Sequence, residues 1–258
     1  MNKNSQIINR EWFTDFPEIP CPRCGIGIFI YKKREKIELE DGISKESKIL
    51  DIDPSYYSGK FTITSNCNHP KCEESSIISG KTKLTFVGWY EGGYDPEQGI
   101  EIPEHEHHEM KFKIEYISPP FNLISFPIDF PNNLQKILEE SFKLFWIDKD
   151  SCGNKLRIFI EELLSHQKIK KNEIKNRKRY KLSLHKRIMI FQNKYPKLGD
   201  KLLAIKWIGN TASHGEKELS KQKIIDAFNI LEFIIEKLFE NKEKEIDILT
   251  KRINKAKG

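Results

Sequence analysis

The chain is 258 residues long, 38% hydrophobic and 32% charged, with a formal net charge of +6. No apolar run approaches the ~20 residues that span a bilayer, which excludes a membrane helix, and the length gives enough interior for two modest domains without disulfide staples. The charge is uneven: residues 168–187, "KIKKNEIKNRKRYKLSLHKR", hold ten Lys or Arg against one Glu, so this segment alone exceeds the net charge of the whole.

The start, "MNKNSQIINREWF", lacks the continuous apolar stretch of a secretory signal. The expectation is a cytoplasmic protein whose thiols stay reduced. "PCPRCG" then supplies Cys21 and Cys24, with Gly25 free to turn the backbone toward a shared ion, and "CNHPKC" supplies Cys67 and Cys72. Two such pairs beside short strands fit a zinc ribbon, because each turn delivers two thiolates to a tetrahedral Zn2+. His69, inside the second pair, is an alternative ligand. With four protein ligands no position is left for an activated water, so the zinc is expected to be structural.

"FTITS", "KLTFVGWY" and "MKFKIEYI" alternate apolar and polar residues and predict strands, with "EGGYDPEQG" as a turn between two of them. "EHEHHE", residues 104–109, puts three histidines within four residues, but a loop or strand lacks the spacing of two helical turns, and the stretch reads as a solvated loop. Pro119, Pro120, Pro127 and Pro131 punctuate residues 117–131, predicting an extended connector at a domain boundary.

Beyond it the periodicity becomes helical. Leu134, Leu138, Phe142 and Phe145 share a face after a "PNN" start that offers a cap, and Leu156, Phe159, Ile160, Leu163 and Leu164 form a second stripe. A third helix is expected around Leu184, Ile188 and Phe191, a fourth from Pro196 to about Ile208, and a long fifth through Ile224, Phe228, Leu231 and Ile235. These five segments read as a helical bundle with a fraying tail after Glu240. Cys152, with no His near it in sequence to act as a base, reads as a buried thiol rather than a nucleophile. The basic run reads either as a solvated inter-helix loop or as a phosphate-binding patch of Lys170, Lys171, Arg177, Lys178, Arg179 and Arg187.

The stretch "KWIGNTASHGE" ends the fourth helix. Carried through in helical geometry, Lys206, Asn210 and His214 fall at i, i+4 and i+8 on one face. There Lys206 supplies charge to a phosphate, Asn210 orients it, and His214 exchanges a proton with a ribose 2′-hydroxyl. Gly209 and Gly215 equally allow an earlier helix end, with Asn210 and His214 serving only to satisfy orphan carbonyls.

The order of "EWFTDFPEIPCPRCG", a paired-cysteine β region, "SPP", and a helical half ending in "IKWIGNTASHG" before a long apolar helix resembles domain-of-unknown-function family 4145 over nearly the whole chain. The resemblance implies a prokaryotic protein found beside or fused to restriction and other anti-phage components. Its helical part is similar to the HEPN group, many of whose members are ribonucleases that dimerise to build a site from an Arg, a polar residue and a His. By that correspondence Asn210 takes the polar position and His214 the histidine. Gly209 stands where the Arg belongs, leaving Lys206 or Arg187 as its substitute.

The combined expectation is an α+β protein: a β-rich domain with a zinc ribbon over residues 1–130, then a HEPN-like antiparallel helical bundle over 131–258. The expected function is non-catalytic binding of nucleic acid, RNA or DNA, or of a partner nuclease in anti-phage defence. Metal-independent RNA cleavage through His214 and a pure assembly module are the alternatives. No membrane partner is expected, and the helical half is a candidate homodimer interface.

Overall fold

The strand-rich half is organised by one antiparallel sheet. In the computed structural model, which describes residues 7, 10–42, 44–45, 53–95, 97, 99–214, 219–240 and 242–256, a short hairpin of β1 (Ile19–Pro20) and β2 (Ile28–Phe29) precedes β3 (Ile37–Glu40), β4 (Ser58–Asn66) and β5 (Ser75–Tyr90). A small β6 (Gly93–Asp95) and β7 (Ile100–Ile102) hairpin follows, and β8 (His105–Ser118) returns to give a sheet of order β3-β4-β5-β8. Alternation places Phe61 and Ile63 of β4, Ile78 of β5, and Phe112 and Ile114 of β8 in the core. Phe16 packs 4.5 Å from the Phe112 ring and 5.1 Å from that of Phe61.

A bulge re-registers the long β5–β8 pair: Ser79 faces Tyr116 while Gly80 faces Ile114. Only glycine fits there, since a Cβ on Gly80 would meet the Lys113 carbonyl, with the carbonyl carbon at 2.9 Å and Glu115 N at 3.1 Å. "EHEHHE" is largely strand, not loop: His105 to Glu109 pair with Thr85 to Tyr90. This far end of the pair carries exposed Phe86, Val87, Trp89 and Tyr90, so the period-two pattern of "KLTFVGWY" does not mark a buried face.

The described residues of the C-terminal half form six helices: α1 (Asn132–Ile147), α2 (Lys149–His166), α3 (Leu184–Lys194), α4 (Pro196–His214), α5 (Lys221–Phe239) and α6 (Lys242–Ala256). The expected apolar stripes are its core, including Leu138, Phe142, Phe159, Ile188, Leu202 and Phe228. α2 packs against α1 and α4, and α4 also packs against α3 and α5.

Asp148, the single residue between α1 and α2, caps α2 by accepting from Ser151 N at 3.0 Å. Ser183 and Ser220 cap α3 and α5 in the same way. The "PNN" start supplies no such bond, because Pro131 itself is the N-cap of α1. The tail after Glu240 is a sixth helix, with Ile246, Leu249 and Ile253 exposed along it.

The chain divides into units Lys3–Phe121 and Asn122–Gly258, a boundary inside the proline-punctuated stretch. The architecture is mixed α+β, strand-rich first and helical second. No helix among the described residues is long and apolar enough to cross a membrane.

Candidate metal centre and basic hairpin

Cys21, Cys24, Cys67 and Cys72 bring their four sulfurs within 4.8 Å of one another. The first turn follows β1. Gly25 N donates to Cys21 O, Cys21 N donates to Gly27 O, and Gly25 takes φ +65°. The second turn links β4 to β5 and is closed by Cys67 N donating to Glu74 O at 2.8 Å. Asn68 then joins the two turns, its amide donating to Ile28 O at 3.1 Å and its side chain accepting from Ile28 N at 2.9 Å. An Arg23–Glu74 ion pair of 2.9 Å crosses outside them.

The sulfurs Cys21–Cys72 and Cys24–Cys67 each stand 3.7 Å apart. A tetrahedral ion with ~2.3 Å bonds to sulfur requires an edge of about 3.8 Å, so the donor set fits one ion. Gly27 keeps the cradle open, since a Cβ there would lie 2.8 Å from His69 Cβ and press on Cys67 Sγ. The amides of Gly27 and Ile26 lower the Cys24 thiol to about 6, whereas burial pushes Cys67 up to about 12. Binding an ion therefore releases protons. His69 is outside the four-atom group and its buried Nδ1 lacks a hydrogen-bond partner among the described residues.

A second group joins Asp53, Glu106 and His108, with His108 Nε2 3.5 Å from Glu106. Cys152 is fully buried, its thiol donating to Ser141 O at 3.3 Å and raised in pKa by burial. It is a packed thiol, as its sequence setting suggested.

In the helical half α4 runs unbroken to His214, past Gly209. Gly209 is buried against α2, where a Cβ would meet Gly153 O at 3.1 Å and Arg157 Cβ at 3.2 Å. This close approach brings Arg157 to Asn210, whose Oδ1 accepts from Nη1 at 3.1 Å. No sequence signal pairs these two residues, which meet only across the packed helices. Lys206 is 9% exposed, its ammonium 3.7 Å from the Trp207 ring centroid and without a hydrogen bond or ion pair among the described residues. Asn210 is half-buried. His214 is the last residue of α4, and its side chain lies outside the described residues.

The basic run is not a loop. It folds as a hairpin of β9 (Asn172–Lys175) and β10 (Lys178–Lys181), turned by Asn176 and Arg177 at φ 47° and 60°. Residues 174–181 are all exposed. Lys171 pairs with Glu162 at 3.5 Å, and Lys175 and Lys186 share Glu173 at 3.4 and 3.6 Å. Lys168, Lys170, Arg177, Lys178 and Lys181 have no acidic partner among the described residues.

Arg187 stands apart from this surface. It is 5% exposed and donates to Glu161 O, Ser165 Oγ and Ile169 O, tying α3 to the end of α2. Its position three residues after Leu184, on the apolar face, was the available signal.

Residues 139–256 match the family model described as Domain of unknown function (DUF4145). The matched segment holds α2 to α6, the basic hairpin and the Lys206–His214 stretch, and leaves the cysteine centre outside. No curated protein and no solved structure matches the chain significantly.

Proposed function

We propose that this chain is a zinc-stabilised, HEPN-like protein of prokaryotic anti-phage defence that binds nucleic acid in the cytoplasm without cleaving it. The observation that carries the binding is the set of uncompensated cations on the exposed β9–β10 hairpin. Such a set attracts phosphate by releasing condensed counterions. Arg177, Lys178 and Arg179 of the hairpin are the contacting residues, joined by Lys170 and the Glu162-paired Lys171 just before it. The defence setting and the HEPN likeness of the helical half rest on the family resemblance.

Zinc is the ion best suited to four thiolates in a tetrahedron. Cys21, Cys24, Cys67 and Cys72 would hold it, and with all four positions filled it would supply cross-linking of the β1–β2 hairpin to the β4–β5 turn rather than a reactive water. His69 is then not a ligand.

The test is filter binding of the purified full chain to short duplexes and single strands at low salt. Replacing Lys170, Lys171, Arg177 and Arg179 together with Gln weakens binding across all sequences. Unchanged affinity in that variant removes the hairpin from the reading.

One observation favours a second reading, in which the chain is a metal-independent ribonuclease. The Arg157–Asn210 contact puts a guanidinium beside the polar position that lacks its sequence-adjacent Arg, and α4 continues to His214. On that reading RNA is cut in EDTA to a cyclic phosphate, and His214→Ala abolishes the cut. Equal degradation by wild type and His214→Ala refutes it. The burial of Lys206 against Trp207, away from free solvent, favours the binding reading.

A further inference from the structure

We infer that the β9–β10 hairpin is a two-stranded ribbon that enters the major groove of duplex DNA. This rests on the nucleic-acid reading above and names the nucleic acid and the groove. The ribbon pairs Lys178 with Lys175, Arg179 with Ile174, Tyr180 with Glu173 and Lys181 with Asn172. At ~3.4 Å per residue its strands extend about 14 Å, and they lie ~4.8 Å apart. The B-form major groove, ~12 Å wide and ~8.5 Å deep, admits a ribbon of this kind. The deep, narrow major groove of A-form RNA does not.

Charge and exposure agree with insertion. Neither face is covered by protein from Ile174 to Lys181. The one acid of the ribbon, Glu173, is half-buried near its base and paired to Lys175 and Lys186, so the outer part is cationic. At the tip Arg177 holds φ 60°, a conformation that favours glycine in a two-residue turn of this hand. The chain thus keeps a cation at the leading edge against a backbone preference.

The two faces differ. Cross-strand partners share a face, so Ile174, Arg179, Asn172 and Lys181 lie together. Ile174 is 77% exposed, an apolar side chain in a cationic surface with no core to join. It suits the thymine methyl group, which only the major groove presents. With its oxygen toward Arg179, the Asn172 carboxamide accepts from Nη2 at 2.9 Å and from Nε at 3.2 Å. That orders the guanidinium and leaves the Nη1 hydrogens and the second Nη2 hydrogen for another acceptor pair, such as guanine O6 and N7.

The experiment measures anisotropy of the full chain on labelled duplex DNA, on the RNA duplex of the same sequence, and on each single strand, at one low salt concentration. Duplex DNA is expected to bind about tenfold or more tightly than duplex RNA. The major-groove ligand methyl green competes and the minor-groove ligand distamycin does not. Arg179→Ala and Ile174→Ala each weaken the DNA complex, Arg179→Ala by about tenfold. Arg177→Gly also weakens it while relieving the turn, so lost folding cannot explain the effect. Equal or tighter binding of RNA or single strands, or competition by distamycin alone, overturns the ribbon proposal while nucleic-acid binding stands. Binding to none of these probes overturns both.

Discussion

Gly27→Ala tests the cysteine centre at its tightest point. The new Cβ would lie 2.8 Å from His69 Cβ and 3.0 Å from Asn68 Oδ1, and closer still to Cys67 Sγ, where ordinary contact begins at about 3.5 Å. Residue 27 cannot step aside easily, because its carbonyl accepts from Cys21 N and its amide donates to Cys24 Sγ at 3.3 Å. Sulfur must therefore move by several tenths of an ångström or more, whereas a metal–sulfur bond tolerates about 0.2 Å. Overpacking of this kind costs about 1–3 kcal/mol, or roughly 5- to 150-fold in metal affinity. Competition against a chromophoric chelator measures it, with Gly93→Ala, whose Cβ meets nothing within 4 Å, as the control. Equal affinity in the two variants would refute the idea that the sulfurs converge on one ion in this geometry.

Elemental analysis of tag-free protein should find one zinc per chain, held until the thiols are titrated, and its absence would leave the cysteines as packed thiols. Gly209→Ala should lower stability by about 1 kcal/mol even though Ala gains a similar amount in helix propensity, because Gly153 O and Arg157 Cβ crowd the site. A urea midpoint that falls at constant slope reports this, and a rise would mean that α2 yields. Asp148→Ala should cost about 1 kcal/mol at pH 7 through loss of the α2 cap. The Ser151 hydroxyl and amide hold the Asp148 carboxyl below its ordinary value, so its contribution is complete above the unfolded pKa of ~4 and is lost as pH falls through the depressed one. Denaturation curves of the two proteins should converge on acidification, and a constant gap would point to another cause.

What the sequence disclosed was what depends on local spacing. Two cysteine pairs, each close in sequence on a short turn, announce the cluster of four sulfurs by their positions alone. The stripes through Phe142, Phe159 and Phe228 announce the helical core for the same reason, since burial of one face imposes its period. The basic hairpin escaped because neither of its faces is buried, so its strands carry no hydrophobic alternation. Its only cues were Asn176 at a turn and Ile174 and Tyr180 beside it. The "EHEHHE" strand is set by pairing with residues 85–90, a tertiary partner that composition does not reveal. Gly209 reads as a helix breaker in isolation, and only the approach of Gly153 shows why a glycine is kept there. Arg157 reaches Asn210 across that same contact, from more than fifty residues away in sequence.

The claim that matters most is that the exposed cations in and just before the hairpin bind phosphate, and the salt dependence of affinity measures it directly. With Lys170, Lys171, Arg177, Lys178 and Arg179 each releasing a counterion, log K against log salt concentration should fall with a slope of about −4 to −5 on duplex DNA. A slope near zero, or one unchanged when these residues are neutralised, would contradict the account.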